Sequence, residues 1–173
     1  MITEQQKSII KKHQNSFPVE MIPLAHDFGL KVYNVSGWPD DLSGMIKLNK
    51  KDANNPRYEI YVNKNHAATR RRFTIAHEIS HFLLHKDLIG DGIVDDGLYR
   101  SKLPGSIETE ANRLAADLLM PWGLINQAMS IGYNTVQELA NALNVSPSAM
   151  SIRLGVPFET QNSCIKEAVN SVP

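Results

Sequence analysis

The chain has 173 residues, with 18 Lys+Arg against 18 Asp+Glu and a formal net charge of zero. That length suits one domain or one domain with a small appendage, and the charge balance argues against a generally basic nucleic-acid binder. An apolar share of 42%, one cysteine (Cys164) and a polar start, MITEQQKSII, exclude global disorder, an internal disulfide and a signal-peptide core, and no apolar run nears the ~18 residues of a membrane span.

A soluble cytoplasmic protein is therefore the expectation. Residues 3–14 suit a short polar helix. Leu24, Ala25 and Phe28 suggest a second, stopped at Gly29, where glycine takes a left-handed cap at no steric cost. Residues 30–35, 43–48 and 57–62 are β-prone. The last alternates Tyr58, Ile60 and Val62 with Arg57, Glu59 and Tyr61, the period of a half-exposed strand. A small, largely antiparallel sheet follows.

From Ala67 to Lys86 there is no Gly or Pro, and Phe73, Ala76, Ile79, Leu83 and Leu84 recur at helical steps. Residues 87–105 carry Gly90, Gly92, Gly97, Pro104 and Gly105 and read as a long loop over a functional site. Ile107, Ala111, Leu114, Ala115, Leu118 and Leu119 then define a helix over 106–120 that Pro121 ends. Thr135 and Glu138 form a capping-box pattern ahead of a helix closed by Asn144. Ser146-Pro147 opens another, ended by Gly155 and Pro157.

The chemistry lies in His77-Glu78-Ile79-Ser80-His81. Histidines four apart on a helix share one face, one turn apart, and can converge on one ion. Glu78, about 100° round from His77, can reach the open side of that ion and take a proton from water whose pKa it lowers. His85 continues the series. It reads as a third ligand, as a residue behind the ligands or as a favourable charge at the helix end. A catalytic zinc usually has three protein ligands. Glu108 and Glu110 are both candidates for the third, since each flanks the apolar stripe of the next helix.

FTIAHEISHFLLH (73–85), followed by ETEANRLAADLLMP (108–121), resembles the ImmA/IrrE family of metallopeptidases. The likeness extends upstream over about 17–63 and downstream to LANALNVSPSAMSIRLG (139–155). The resemblance implies a gluzincin-like zinc metalloendopeptidase in which His77, His81 and Glu110 hold the metal and Glu78 is the general base. His85 and Glu108 are left as supporting residues or alternative ligands. Mn²⁺ or Fe²⁺ would also accept these donors. Tyr99, Tyr133 and His85 are open candidates for the oxyanion partner. The resemblance also implies an extended substrate paired with a strand edge, for which strand 57–62 is the candidate. It further implies a protein substrate: a helix-turn-helix repressor of phage, mobile-element or stress-response genes.

The expected fold is α+β. A small antiparallel or mixed sheet packs on the His77–His81 helix and the Glu110 helix in a zincin-like core, with a C-terminal helix-turn-helix-like hairpin. The expected divisions are a core at 1–130, the hairpin at 131–156 packed on it, and a tail at 157–173. The hairpin raises the alternative of a transcription regulator or protein-interaction module with little or no peptidase activity. Against DNA binding, Arg153 is the only basic residue between Pro121 and Gly155, and phosphate contacts come chiefly from Lys and Arg. Arg70-Arg71-Arg72 reads as a solvated charge run.

Overall fold

The computed structural model describes residues 2–51, 56–89, 93–96 and 104–157. Helix α1 (Glu4–His13) opens on a capping box: the Thr3 side chain accepts from the Gln6 amide while the Gln6 side chain accepts from the Thr3 amide. Two backbone donors that a helix start leaves unpaired are thereby satisfied. Helix α2 (Met21–Asp27) follows and buries Met21, Leu24 and Ala25. Gly29, at φ +74, then turns the chain into the sheet.

Four strands make that sheet: β1 (Lys31–Val35), β2 (Leu42–Asn49), β3 (Arg57–Asn63) and β4 (Ile93–Asp96), in the order β1-β3-β2-β4. β1 runs parallel to β3, whereas β2 is antiparallel to both β3 and β4. The sheet is therefore mixed. β3 is flanked on both sides, so strand 57–62 offers no edge to a substrate; among the described residues the edges are β1 and β4. The segment 87–105, expected to be a loop, contains β4, and a short 3-10 turn at Lys86–Leu88 leads into it.

Helix α3 (Ala68–Leu84) crosses the sheet over β2 and β3, and α4 (Gly105–Leu119) lies along it. Residues 74–81 of α3 are buried without interruption, because the sheet covers one side and α2 and α4 others. Ile60 and Val62 face this core, and Tyr58 meets Phe82 edge-to-face at 5.2 Å. On the opposite face of β3, Glu59 is also buried; it accepts from Tyr61 Oη at 2.5 Å and Asn49 Nδ2 at 3.0 Å.

After α5 (Trp122–Ser130) come α6 (Val136–Leu143) and α7 (Pro147–Leu154). The capping box of Thr135 and Glu138, the Ser146 cap and Pro147 in the first turn are all formed. The turn between α6 and α7 passes through Asn144 at φ 53, and Gly155 ends α7 at φ 70. α6 buries Val136, Leu139, Ala140 and Leu143 in the same core as α3 and α4.

Two arginines fasten this end of the chain. Arg153 donates to the Met120 carbonyl at 3.0 Å, pairs with Asp117 at 2.7 Å and stacks over Trp122. Arg72 donates to the carbonyls of Asn144 and Val19, and its burial lowers its pKa from the ordinary arginine value. The Arg70–Arg72 run is thus not simply a solvated face: its third member is a structural clasp. No described helix is long and apolar enough to cross a membrane.

Candidate metal centre

The site is built from facing turns of α3 and α4. His77 and His81, one turn apart, turn their rings to the same side with centroids 4.6 Å apart, and their Nε2 atoms stand 3.0 Å from each other. Both side chains are buried. From α4, Glu108 brings Oε2 to 3.3 Å from Nε2 of His77 and Oε1 to 3.7 Å from Nε2 of His81. Its side chain remains 27% exposed, so the cluster keeps an approach from solvent.

Ligands about 2.0–2.1 Å from one tetrahedral ion lie roughly 3.3 Å from each other. Separations of 3.0, 3.3 and 3.7 Å match that requirement. Two imidazoles and one carboxylate are also a donor set that Zn²⁺ accepts. The residues present fit a divalent cation.

Each imidazole is also held from behind. Nδ1 of His77 lies 3.0 Å from Oδ1 of Asn112. The amide oxygen can only accept, so this contact calls for N–H at Nδ1 and leaves Nε2 facing the cluster. Nδ1 of His81 lies 3.3 Å from Nδ1 of His85, whose Nε2 is 3.2 Å from Oε2 of Glu110. Burial, with the neighbouring His77 and His85 and against the opposing pull of Glu108, lowers the pKa of His81 to about 4. His81 is therefore neutral near pH 7, the form a metal ligand needs.

The structure separates the two glutamates, of which Glu110 was the expected ligand and Glu108 the alternative. The carboxylate brought to the histidine pair is Glu108; Glu110 is turned to His85 and is 65% exposed. Helical geometry gives the reason. At 100° per residue, Glu108 lies roughly 35° from the mean direction of the buried Ala111, Ala115, Leu118 and Leu119, whereas Glu110 lies roughly 125° away. Only Glu108 shares the face that α4 turns to α3.

Glu78 is fully buried beside β2. Gly44 makes room for it. A Cβ at that position would collide with the Thr74 methyl, lie 2.9 Å from the Tyr61 carbonyl oxygen and sit 3.6 Å from Oε1 of Glu78. Among the candidate oxyanion partners, His85 stands behind His81, Tyr133 packs edge-to-face on Phe17 at 6.3 Å, and Tyr99 lies outside the described residues. Asn112 and Gly44 are contributors that the sequence reading missed. Asn112 was legible as the residue one turn after Glu108 on the same face. Gly44, a glycine inside a strand, signals a close approach.

Comparison with known proteins agrees with this architecture. The family described as the IrrE N-terminal-like domain, a peptidase family, matches residues 40–155. Metallopeptidase ImmA of Bacillus subtilis is 27% identical over 128 residues, which cover 74% of this chain and 68% of that protein. The radiation response metalloprotease IrrE of Deinococcus deserti is 39% identical over 95 residues, covering 52% of this chain and 33% of that protein. A solved transcriptional regulator from Mycobacterium tuberculosis shares the fold at a TM-score of 0.54 and 18% identity, over 89% of this chain and 47% of that one.

Proposed function

The chain belongs to the peptidase family of the IrrE N-terminal-like domain, and on that footing we propose that it is a metal-dependent endopeptidase acting on a protein partner. The observation that carries this reading is the convergence of His77, His81 and Glu108 within bonding reach of one point. These three would hold the ion, with Glu108 in the place that the resemblance assigned to Glu110, and zinc is the metal we favour for this donor set. Such an ion supplies Lewis-acid polarisation of a carbonyl and lowers the pKa of water at the site.

The protein's own residues do the rest. Asn112 and His85 fix the ring orientations. Glu78, adjacent to His77 and kept dry against Gly44, takes the proton from the attacking water and delivers it to the leaving amine. Glu110 acts on His85 and holds no metal.

For the substrate we infer a helix-turn-helix repressor, encountered in the cytoplasm. This rests on the family resemblance. The competing reading, a regulator without peptidase activity, leans on the α6–α7 hairpin. It is weakened by Arg153, which is already committed to Asp117, Met120 and Trp122 and so is not free for phosphate.

The experiment is metal analysis coupled to cleavage. Purified protein should retain about one ion per chain, and His77→Ala should lose it. Glu78→Gln should keep the ion but no longer fragment a co-expressed repressor. Cleavage by Glu78→Gln at the wild-type rate would remove Glu78 from the reaction.

A further inference from the structure

A cavity of about 830 Å³ opens beside the histidine pair, between α3, α4 and α7. Its size is that of sites that take several side chains of a ligand. It does not contain the metal cluster; it reaches it at the Nδ1 side of His77. Two of its lining residues touch His77: Phe73 stacks on the imidazole at 6.3 Å, and Asn112 holds Nδ1. From there the cavity runs along α3 to Arg70 and across to Ala149 and Ile152 on α7.

Its chemistry is mixed in one informative way. Phe73, Ala116, Ala149 and Ile152 make the walls largely apolar. Ile152 stands 82% exposed on the rim, more than any other large apolar residue among those described. Arg153, also in the lining, is neutralised by Asp117 at 2.7 Å. Arg70 donates from its guanidinium to the neutral Ser43 hydroxyl at 2.9 Å, and it forms no ion pair with a carboxylate of residues 2–51, 56–89 or 104–157. An apolar trough with one cation that pairs with no carboxylate of those residues suits a polypeptide that is apolar and carries an acid.

Spacing sharpens this. Arg70 and His77 are seven residues apart on one helix, hence on the same face and about 10 Å apart along the axis. An extended peptide covers about 10 Å in three residues. We propose that this trough is the substrate groove on one side of the cleaved bond. It takes a run of apolar side chains and pairs Arg70 with an Asp or Glu about three residues from the cut. This deepens the peptidase reading and rests on it for the position of the cut, while binding in the groove can be measured without turnover.

The probe is an array of ten-residue peptides with Leu and Phe runs, bearing either Glu or Lys at each position, presented to the zinc-loaded full chain carrying Glu78→Gln. Glu peptides should bind at least tenfold tighter than their Lys counterparts, and adding Arg70→Glu should reverse that order. Ile152→Glu, at a site exposed enough to leave folding intact, should weaken all apolar peptides severalfold. Ala149→Trp should abolish their binding. Equal binding of Glu and Lys peptides, or no change on Ile152→Glu, overturns the proposal. So does a dimer that Ile152→Glu dissolves in sedimentation, since the groove would then be a contact between two copies. If the peptides bind as expected but the chain with Glu78 intact cuts none of them, the groove stands and the peptidase reading falls.

Discussion

Asn112 sets its side-chain oxygen 3.0 Å from Nδ1 of His77, on the far side of the ring from the metal cluster. One turn earlier on the same helix, Glu108 approaches the other nitrogen of that ring. A single face of α4 thus grips both ends of one imidazole, which couples ring orientation to the position of the carboxylate. Residues that orient a metal-bound histidine typically contribute about 10–100-fold in metal affinity. Asn112→Leu should weaken zinc binding by about that factor, as read by competition with a chromophoric chelator. Asn112→Asp keeps an acceptor at the same place and should bind close to wild type. Equal affinity in all three proteins would show that the hydrogen bond does no positioning.

The two glutamates of α4 separate cleanly by experiment. Glu108→Ala removes a donor 3.3 Å from His77 Nε2, and the protein should emerge from dialysis without metal. Glu110→Ala removes only the carboxylate behind His85 and should emerge loaded, with at most a modest loss of affinity. Elemental analysis of the dialysed proteins reads the result. Metal lost from the Glu110 variant and kept by the Glu108 variant would restore the original assignment to Glu110.

What the sequence made legible and what it hid divide along physical lines. α3 was plain because a gapless run of helix formers carries its own periodicity, and His77, Glu78 and His81 inherited their geometry from it. Glu108 and Glu110 were harder, because the stripe of α4 is broad and both flank it. Weighting the alanines Ala111 and Ala115, which allow the closest helix approach, would have favoured Glu108. Strand order is a property of pairing between distant segments, so the interior position of β3 was invisible to a period-two pattern. β4 is four residues long within a glycine-rich stretch, too short for periodicity to register. Arg72 looked solvated because charge suggests exposure, yet its partners are carbonyls of Val19 and Asn144, which no sequence pattern marks.

Gly44 yields a stability prediction. Its missing side chain lets β2 approach α3, and an added methyl meets both Thr74 and the Tyr61 backbone. Backbone cannot yield as a flexible side chain can. Overpacking of this kind costs about 1–3 kcal/mol, so Gly44→Ala should lower the urea midpoint correspondingly. Activity should fall further than stability explains, because the displaced wall is the one beside Glu78. A Gly44→Ala protein with unchanged midpoint and unchanged cleavage would show that the close approach is dispensable.

The low pKa of His81 makes the stability of the metal-free protein depend on pH in a defined window. The folded value is about 4 and the ordinary one 6.5, so between these the unfolded chain holds a proton that the folded chain does not. Stability therefore falls as the pH drops. The contribution is fully present above pH 6.5 and is lost progressively toward pH 4, because protonation would place a cation in a buried site beside His77 and His85. A shift of this size corresponds to a few kcal/mol. Thermal unfolding with excess chelator should show the melting temperature declining from pH 7 to pH 4.5, and His81→Phe, which cannot take up a proton, should flatten that slope. A slope of the same steepness in His81→Phe would mean that other groups, such as the buried Glu59, carry the acid sensitivity.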